Sequence, residues 1–191
     1  MDALFGILSA FGLSASAGLN AYIPLLVVGV IGHYTHWINL TPPYDLLANP
    51  WILILVSVLL IIEMLADKIP AVNHINDIIQ TIFRPSAGAI VFAASAHSLT
   101  GVNPYLALIC GLLVAGGVHT VKSAAIRPAV TATTGGTANI PVSIAEDVIS
   151  TVLSILSIVL PILVGVFLLL LIVLLIWFFL RRARRRRQAV L

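Results

Sequence analysis

WILILVSVLLIIEMLADK, residues 51–68, decides the fold. As a helix it is about 27 Å long, close to the hydrocarbon thickness of a bilayer. Up to Ile62 its only polar side chain is Ser57; then come Glu63, Asp67 and Lys68. Ionisable groups at that depth are costly in lipid and face protein, water or a partner. The stretch reads as a transmembrane helix with a polar site near its end. Glu63 and Asp67 are four apart and share a helical face. Two like charges there repel unless a proton or cation lies between them. One reading is a proton- or cation-handling pair with Lys68 or Lys122 as alternating counter-ion; the other is an interfacial helix end with snorkelling side chains, which explains Lys68 better.

The rest of the composition agrees. Of 191 residues, 60% are hydrophobic and only 9% charged. A soluble domain carries about 25% charged residues, so this chain cannot build a water-facing surface. The net charge of +3 belongs to one segment. Arg181, Arg182, Arg184, Arg185, Arg186 and Arg187 are six of the ten cations, and the remaining body is acidic. A basic cluster beside a span marks the cytoplasmic side and meets anionic headgroups, so anionic lipids are the expected partners of this tail and nucleic acid is not. Cys110 is the only cysteine, which excludes an intramolecular disulfide. The first residues contain Asp2 but no Lys or Arg, so they lack the positive region of a cleaved leader.

Outward from residues 51–68, the pattern predicts an all-α, multi-pass transmembrane helical bundle of five or six membrane segments. Residues 3–34 are too long for one straight span and soften at Ser14–Asn20 and Pro24, so they form a broken first helix. Residues 35–50 are a polar loop, and Pro70 stops the span that precedes it. Residues 71–83 place Val72, Ile75, Ile78, Ile79, Ile82 and Phe83 opposite Asn73, His74, Asn76, Asp77 and Gln80, the pattern of an interfacial amphipathic helix. A short small-residue segment covers residues 86–99. Residues 104–122 span again, with Gly111, Ala115, Gly116 and Gly117 offering close packing. Residues 123–141 show no periodicity and read as a loop or as unwound backbone lining a cavity. Residues 148–180 are too long for one straight span. They form either one kinked helix or a hairpin near Ser157–Pro161, and the hairpin is preferred because it puts Lys68, Arg84, Lys122 and Arg127 on the same side as the arginine tail. Residues 1–180 thus make one transmembrane domain and residues 181–191 a basic cytoplasmic tail.

Two units, Asn49-Pro50-Trp51 and Asn103-Pro104-Tyr105, each open a span, and Lys68 and Lys122 follow at equal distances. A pseudo-repeat of this kind is a transporter signature. Asn before Pro is also ordinary helix-start syntax, and Arg84-Pro85 and Arg127-Pro128 do not keep the spacing.

The polar-site candidates are Glu63, Asp67, Lys68, Asp77, His119, Lys122, Arg127, Asn139, Glu146 and Asp147. His119 and Lys122 share a face and suit proton relay. Ser143-Ile144-Ala145-Glu146 matches a capping box, which suffices for Glu146, and Asp147 suits the positive helix terminus; the alternative is that both face Arg127, Lys122 or Lys68 across the bundle. Thr134-Gly135-Gly136-Thr137 lacks Walker spacing and reads as a hinge. No second histidine or cysteine stands at metal-ligand spacing, so neither zinc nor another cofactor is expected. No nucleophile elbow or Ser-His-Asp order stands out, so the chain is not read as an enzyme.

Taken together, Pro50-Trp51, Glu63-x-x-Ala66-Asp67-Lys68-x-Pro70, Asp77, Ser86-Ala87-Gly88-Ala89, His119-x-x-Lys122, Arg127, Asn139 and Ser143-x-x-Glu146-Asp147 resemble a bacterial membrane-protein family, domain of unknown function 4126. The resemblance implies a small multi-pass protein of the bacterial inner membrane and transfers no activity. The Thr131–Ala138 region departs from the proline-containing pattern of that family. Three functions fit the residues: a transporter- or channel-like protein with its charged site near the cytoplasmic side, a lipid-handling protein for anionic or phosphorylated lipids, and a structural scaffold. A chain this small with six segments is also expected to gain by pairing into a homo-oligomer.

Overall fold

The computed structural model describes residues 3–97 and 102–188, and every regular element among them is helical. The side chains of Asp77, Arg182, Arg184, Arg185, Arg186 and Arg187 lie outside the described set. The α-helices are α1 (Ala3–Leu19), α2 (Tyr22–Tyr34), α3 (Pro50–Ala66), α4 (Pro70–His97), α5 (Pro104–Val121), α6 (Arg127–Thr134), α7 (Asn139–Val159) and α8 (Pro161–Gln188). A 3-10 turn (Tyr44–Ala48) precedes α3, and a π-helical turn (Lys122–Ile126) joins α5 to α6. Four segments are long and apolar enough to cross a membrane: Ile78–Ala96, Pro104–Thr134, Asn139–Val159 and Pro161–Phe178. Leu4–Leu19, Tyr22–Tyr34 and Pro50–Ala66 are shorter apolar helices.

The local syntax explains the helix starts. Asn49 accepts a hydrogen bond from the Trp51 amide, and Asn103 accepts one from the Tyr105 amide, with Pro at the first helical position both times. The side chain satisfies an orphan donor, and proline has none to lose. The first apolar stretch is broken as its sequence predicts, at Asn20 and Ala21.

α1 is the central helix, packed on α4, α5, α7 and α8. Its inward residues are small: Ala10, Ser14, Ser16 and Ala17 are fully buried. In lipid, helices gain nothing by hiding leucine from leucine, so small residues that permit close backbone approach carry the packing. At the α4–α5 crossing, a Cβ on Gly88 would collide with the Ala115 side chain and stand 2.9 Å from the Gly111 carbonyl oxygen. Gly117 faces open space, so only part of the expected small-residue stripe is used.

Three expectations are corrected. Residues 71–83 are not a separate interfacial helix. They run unbroken through Pro85 into residues 86–97, because one proline removes a single backbone hydrogen bond and a long helix tolerates that. Their polarity also faces the other way: Asn76 and Gln80 are buried while Ile75, Ile78, Ile82 and Phe83 are exposed. Residues 123–141 are not a loop, since the π turn and α6 continue α5, and only the turn over residues 135–138, which holds Gly135 and Gly136, is irregular. Both glycines have left-handed backbones, φ 62° and 89°, which other residues reach only at a steric cost.

The third correction is the hairpin. α7 and α8 are separated by Leu160 alone, and the Leu160 and Val164 amides still bond to the carbonyls four residues earlier. One residue cannot reverse the chain, so residues 148–180 are one kinked helix. Pro161 makes the kink: it has no N–H for the Ser157 carbonyl, and the Ser9 hydroxyl donates to that carbonyl instead, at 2.6 Å. Beyond the kink α8 runs on antiparallel to α1, with Val164 beside Gly12 and Gly165 beside Leu8. Its periodic burial stops near Leu168, where α1 runs out. The arginines that follow therefore leave at the opposite end of the bundle from Lys122 and Arg127, and the two cation groups do not share a side.

Candidate functional site: a buried alternating-charge layer

At the C-terminal end of α1 the structure gathers six charges into a chain of alternating sign. Arg84 sits between the two acids of α3, with Nη2 at 2.9 Å from Glu63 Oε1 and 3.7 Å from Asp67 Oδ2. Arg127 Nη2 bridges Asp67 Oδ2 at 3.1 Å and Glu146 Oε2 at 3.2 Å. Lys122 Nζ ends the chain, 2.8 Å from Glu146 Oε2. All six residues are at most 7% exposed. Charges this far from water persist only when paired and further hydrogen-bonded. Asn76 and Ser143 supply such bonds to Asp67, at 2.7 Å and 3.2 Å.

The π turn explains how one helix delivers two cations inward. Five residues of α-helix make about 1.4 turns, which would put Arg127 well round from Lys122. The i→i+5 bond of a π turn stacks positions five apart, and the Arg127 amide bonds to the Lys122 carbonyl.

The break between α1 and α2 is part of the same site. Lys122 Nζ donates to the Leu19 carbonyl at 3.0 Å, a cation on the negative end of α1. Asn20 Oδ1 accepts from the Tyr22 and Ile23 amides, capping α2. Asn20 Nδ2 donates to Asp147 Oδ1 at 2.9 Å. His119 packs beside the layer. Arg84 donates to its Nδ1, which leaves Nε2–H to donate to Thr81.

Below Asp147 a hydroxyl seam follows the α1–α7 interface. Ser16 bonds to the hydroxyls of Ser150 (2.7 Å) and Ser154 (2.6 Å), and Ser9 to the Ser157 carbonyl. Positions 143, 147, 150, 154 and 157 alternate by four and three, one inward stripe of α7. The seam leads to a cavity of about 290 Å³ at the other end of the bundle, lined by Ser9, His36, Trp37, Asn39, Ser95 and Ile158 among others.

Of the predicted site residues, Glu63, Asp67, His119, Lys122, Arg127, Glu146 and Asp147 come together. Lys68 does not join the ion pairs; its Nζ donates to the Met64 carbonyl. The counter-ion between Glu63 and Asp67 is Arg84, not Lys68 or Lys122. Asn139 stands apart and pairs with Thr131 across the glycine turn. Asp77's side chain is outside the described residues. Ser143–Glu146 is no capping box, because α7 already starts at Asn139 and tolerates Pro141 in its first turn, where amides are unpaired anyway. Sequence reading missed Arg84, Asn20, Asn76 and the seam. The four–three spacing of the α7 serines was the available signal for the seam. Of the arginine tail, Arg181 is described and lies over the Trp177 ring, 4.9 Å from its centroid.

Apolar helices turned outward around a buried ion network define a multi-pass helical membrane protein. The chain belongs to the family described as domain of unknown function (DUF4126), whose model matches residues 7–181. No curated protein and no solved structure matches it.

Proposed function

We propose that this protein moves an ion or small solute across its membrane, with the alternating-charge layer as the polar site. The observation that carries the reading is the break at Asn20–Ala21, where the α1 and α2 termini both meet buried charge. Discontinuous helices whose ends point at a site inside the bilayer are how many transporters hold substrate and coupling ions. Arg84 lies about 9 Å along α4 from Ile78, where the apolar span begins, a depth that supports a site within the bilayer. The arginine tail is proposed to be cytoplasmic by the positive-inside rule. Because the tail leaves from the other end, the charge layer then lies toward the opposite face, not near the cytoplasm. Placement in a bacterial inner membrane and a non-catalytic role belong to the same proposal.

The lipid-handling reading has less support, since Lys122 and Arg127 are buried and committed to Glu146 and Asp67. The scaffold reading uses the same ion pairs, and experiment separates it. The purified protein is heated against a panel of cations, anions and anionic lipids, and reconstituted vesicles are assayed for flux of the same species. A ligand that stabilises the wild type by mass action, carries flux, and loses both effects in Glu63→Gln is the expected result. A flat panel, with Glu63→Gln merely less stable, would move the protein to the scaffold class.

A further inference from the structure

Resting on the transport reading, we propose that Asp147 is a buried proton-binding site, loaded from the far cavity through the hydroxyl seam between α1 and α7. Three observations converge. Asp147 is 94% buried, yet among the described residues it has no ion pair, in contrast to Glu63, Asp67 and Glu146. Its Oδ1 is held by Asn20, while Oδ2 has no hydrogen-bond partner among the described residues. It also stands where the seam ends and the charge layer begins, next in line after Ser150 on the inward stripe of α7.

The charges that act on Asp147 come from several elements. Asp67 and Lys68 lie at the end of α3 and Lys122 in the π turn. From α2, Tyr22 interacts with Glu63, Arg84 and Gln80 instead. Each cation of the layer is already bonded to another acid, and Lys68 donates to the Met64 carbonyl, so Asp147 is the carboxylate left to take a proton. A hydronium ion in the cavity gives up one O–H bond and becomes water, and the proton relayed along the seam forms an O–H bond at Asp147 Oδ2 and neutralises it. Breaking the same bond restores the carboxylate, and Glu146 Oε1, also without a hydrogen-bond partner, is the neighbouring acceptor on the layer side. No oxidant or other co-reactant enters.

The seam suits the access route. Each rung is a hydroxyl that can rotate between acceptors, and successive rungs lie one helical turn apart, about 5 Å, within reach of one bridging water. The cavity touches the first rung at Ser9.

Infrared titration of the full-length protein in detergent tests this. In wild type labelled with 13C-aspartate, a protonated-carboxyl band is expected to titrate and to show the isotope shift. The band should persist in Glu63→Gln, vanish in Asp147→Asn, and lose its isotope sensitivity in Asp147→Glu, which serves if the Asn variant does not fold. After a pH jump the band should appear more slowly in Ser154→Val. No titrating aspartate band, or one unchanged in both Asp147 variants, overturns the site. An unchanged rate in Ser154→Val overturns the route. A wild type that titrates at Asp147 but carries no flux of any species supports this proposal and overturns only the transport reading.

Discussion

The charge layer and the hydroxyl seam are both buried polar structures, and they are held in opposite ways. In the layer every member depends on a partner of the other sign from a different element. In the seam the hydroxyls bond to one another and to backbone carbonyls, and no member carries a charge. Losing a partner in the layer strands a charge in a dry interior, whereas losing a hydroxyl in the seam removes a bond and little else. One region is therefore fragile to substitution and the other forgiving.

The largest expected effect breaks the layer at its centre. Arg84→Met leaves Glu63 without its counter-ion and should cost about 3–5 kcal/mol, read as loss of folded protein in detergent. If the double change Glu63→Met with Arg84→Met recovers most of that loss, the penalty was a stranded charge and the comparison holds. Next is Gly88→Leu, which drives a side chain into Ala115 and the Gly111 carbonyl. It should cost at least about 1–3 kcal/mol by overpacking and lower the unfolding midpoint. Asn20→Ala, which uncaps α2 and frees Asp147, should cost about 1–2 kcal/mol by the same measurement. Ser154→Ala should cost less than about 1 kcal/mol; a loss as large as that of Arg84→Met would erase the distinction between the two regions. Smallest of all is Gly117→Ala. With nothing near the added methyl it should be neutral or raise stability by about 0.5 kcal/mol.

Much of the architecture could be read from periodicity and punctuation. Asn49-Pro50 and Asn103-Pro104 start helices because the signal lies within three residues. The break near Asn20 and the outward apolar faces follow from composition. Arg84 was harder, because Pro85 reads as a stop in any local rule, and only the packing of α4 on α1 and α5 shows that the helix passes through it. Ser143–Glu146 failed for a related reason: a capping box and two inward residues one turn apart have the same spacing, and neighbours decide between them. The Ser157–Pro161 region was ambiguous in sequence because the donor that supports its kink, Ser9, is 148 residues away.

The alternating chain has one more consequence. Glu63, Asp67 and Glu146 cancel Arg84, Arg127 and Lys122, so that assembly is electrically neutral. A membrane potential does work of about 2.3 kcal/mol per elementary charge per 100 mV, and on a neutral block moving as a body it does almost none. An ionised Asp147 and any transported ion are what the field can act on. Rigid motion of the layer should therefore add almost nothing to the voltage dependence of this protein, although six charges lie buried in it.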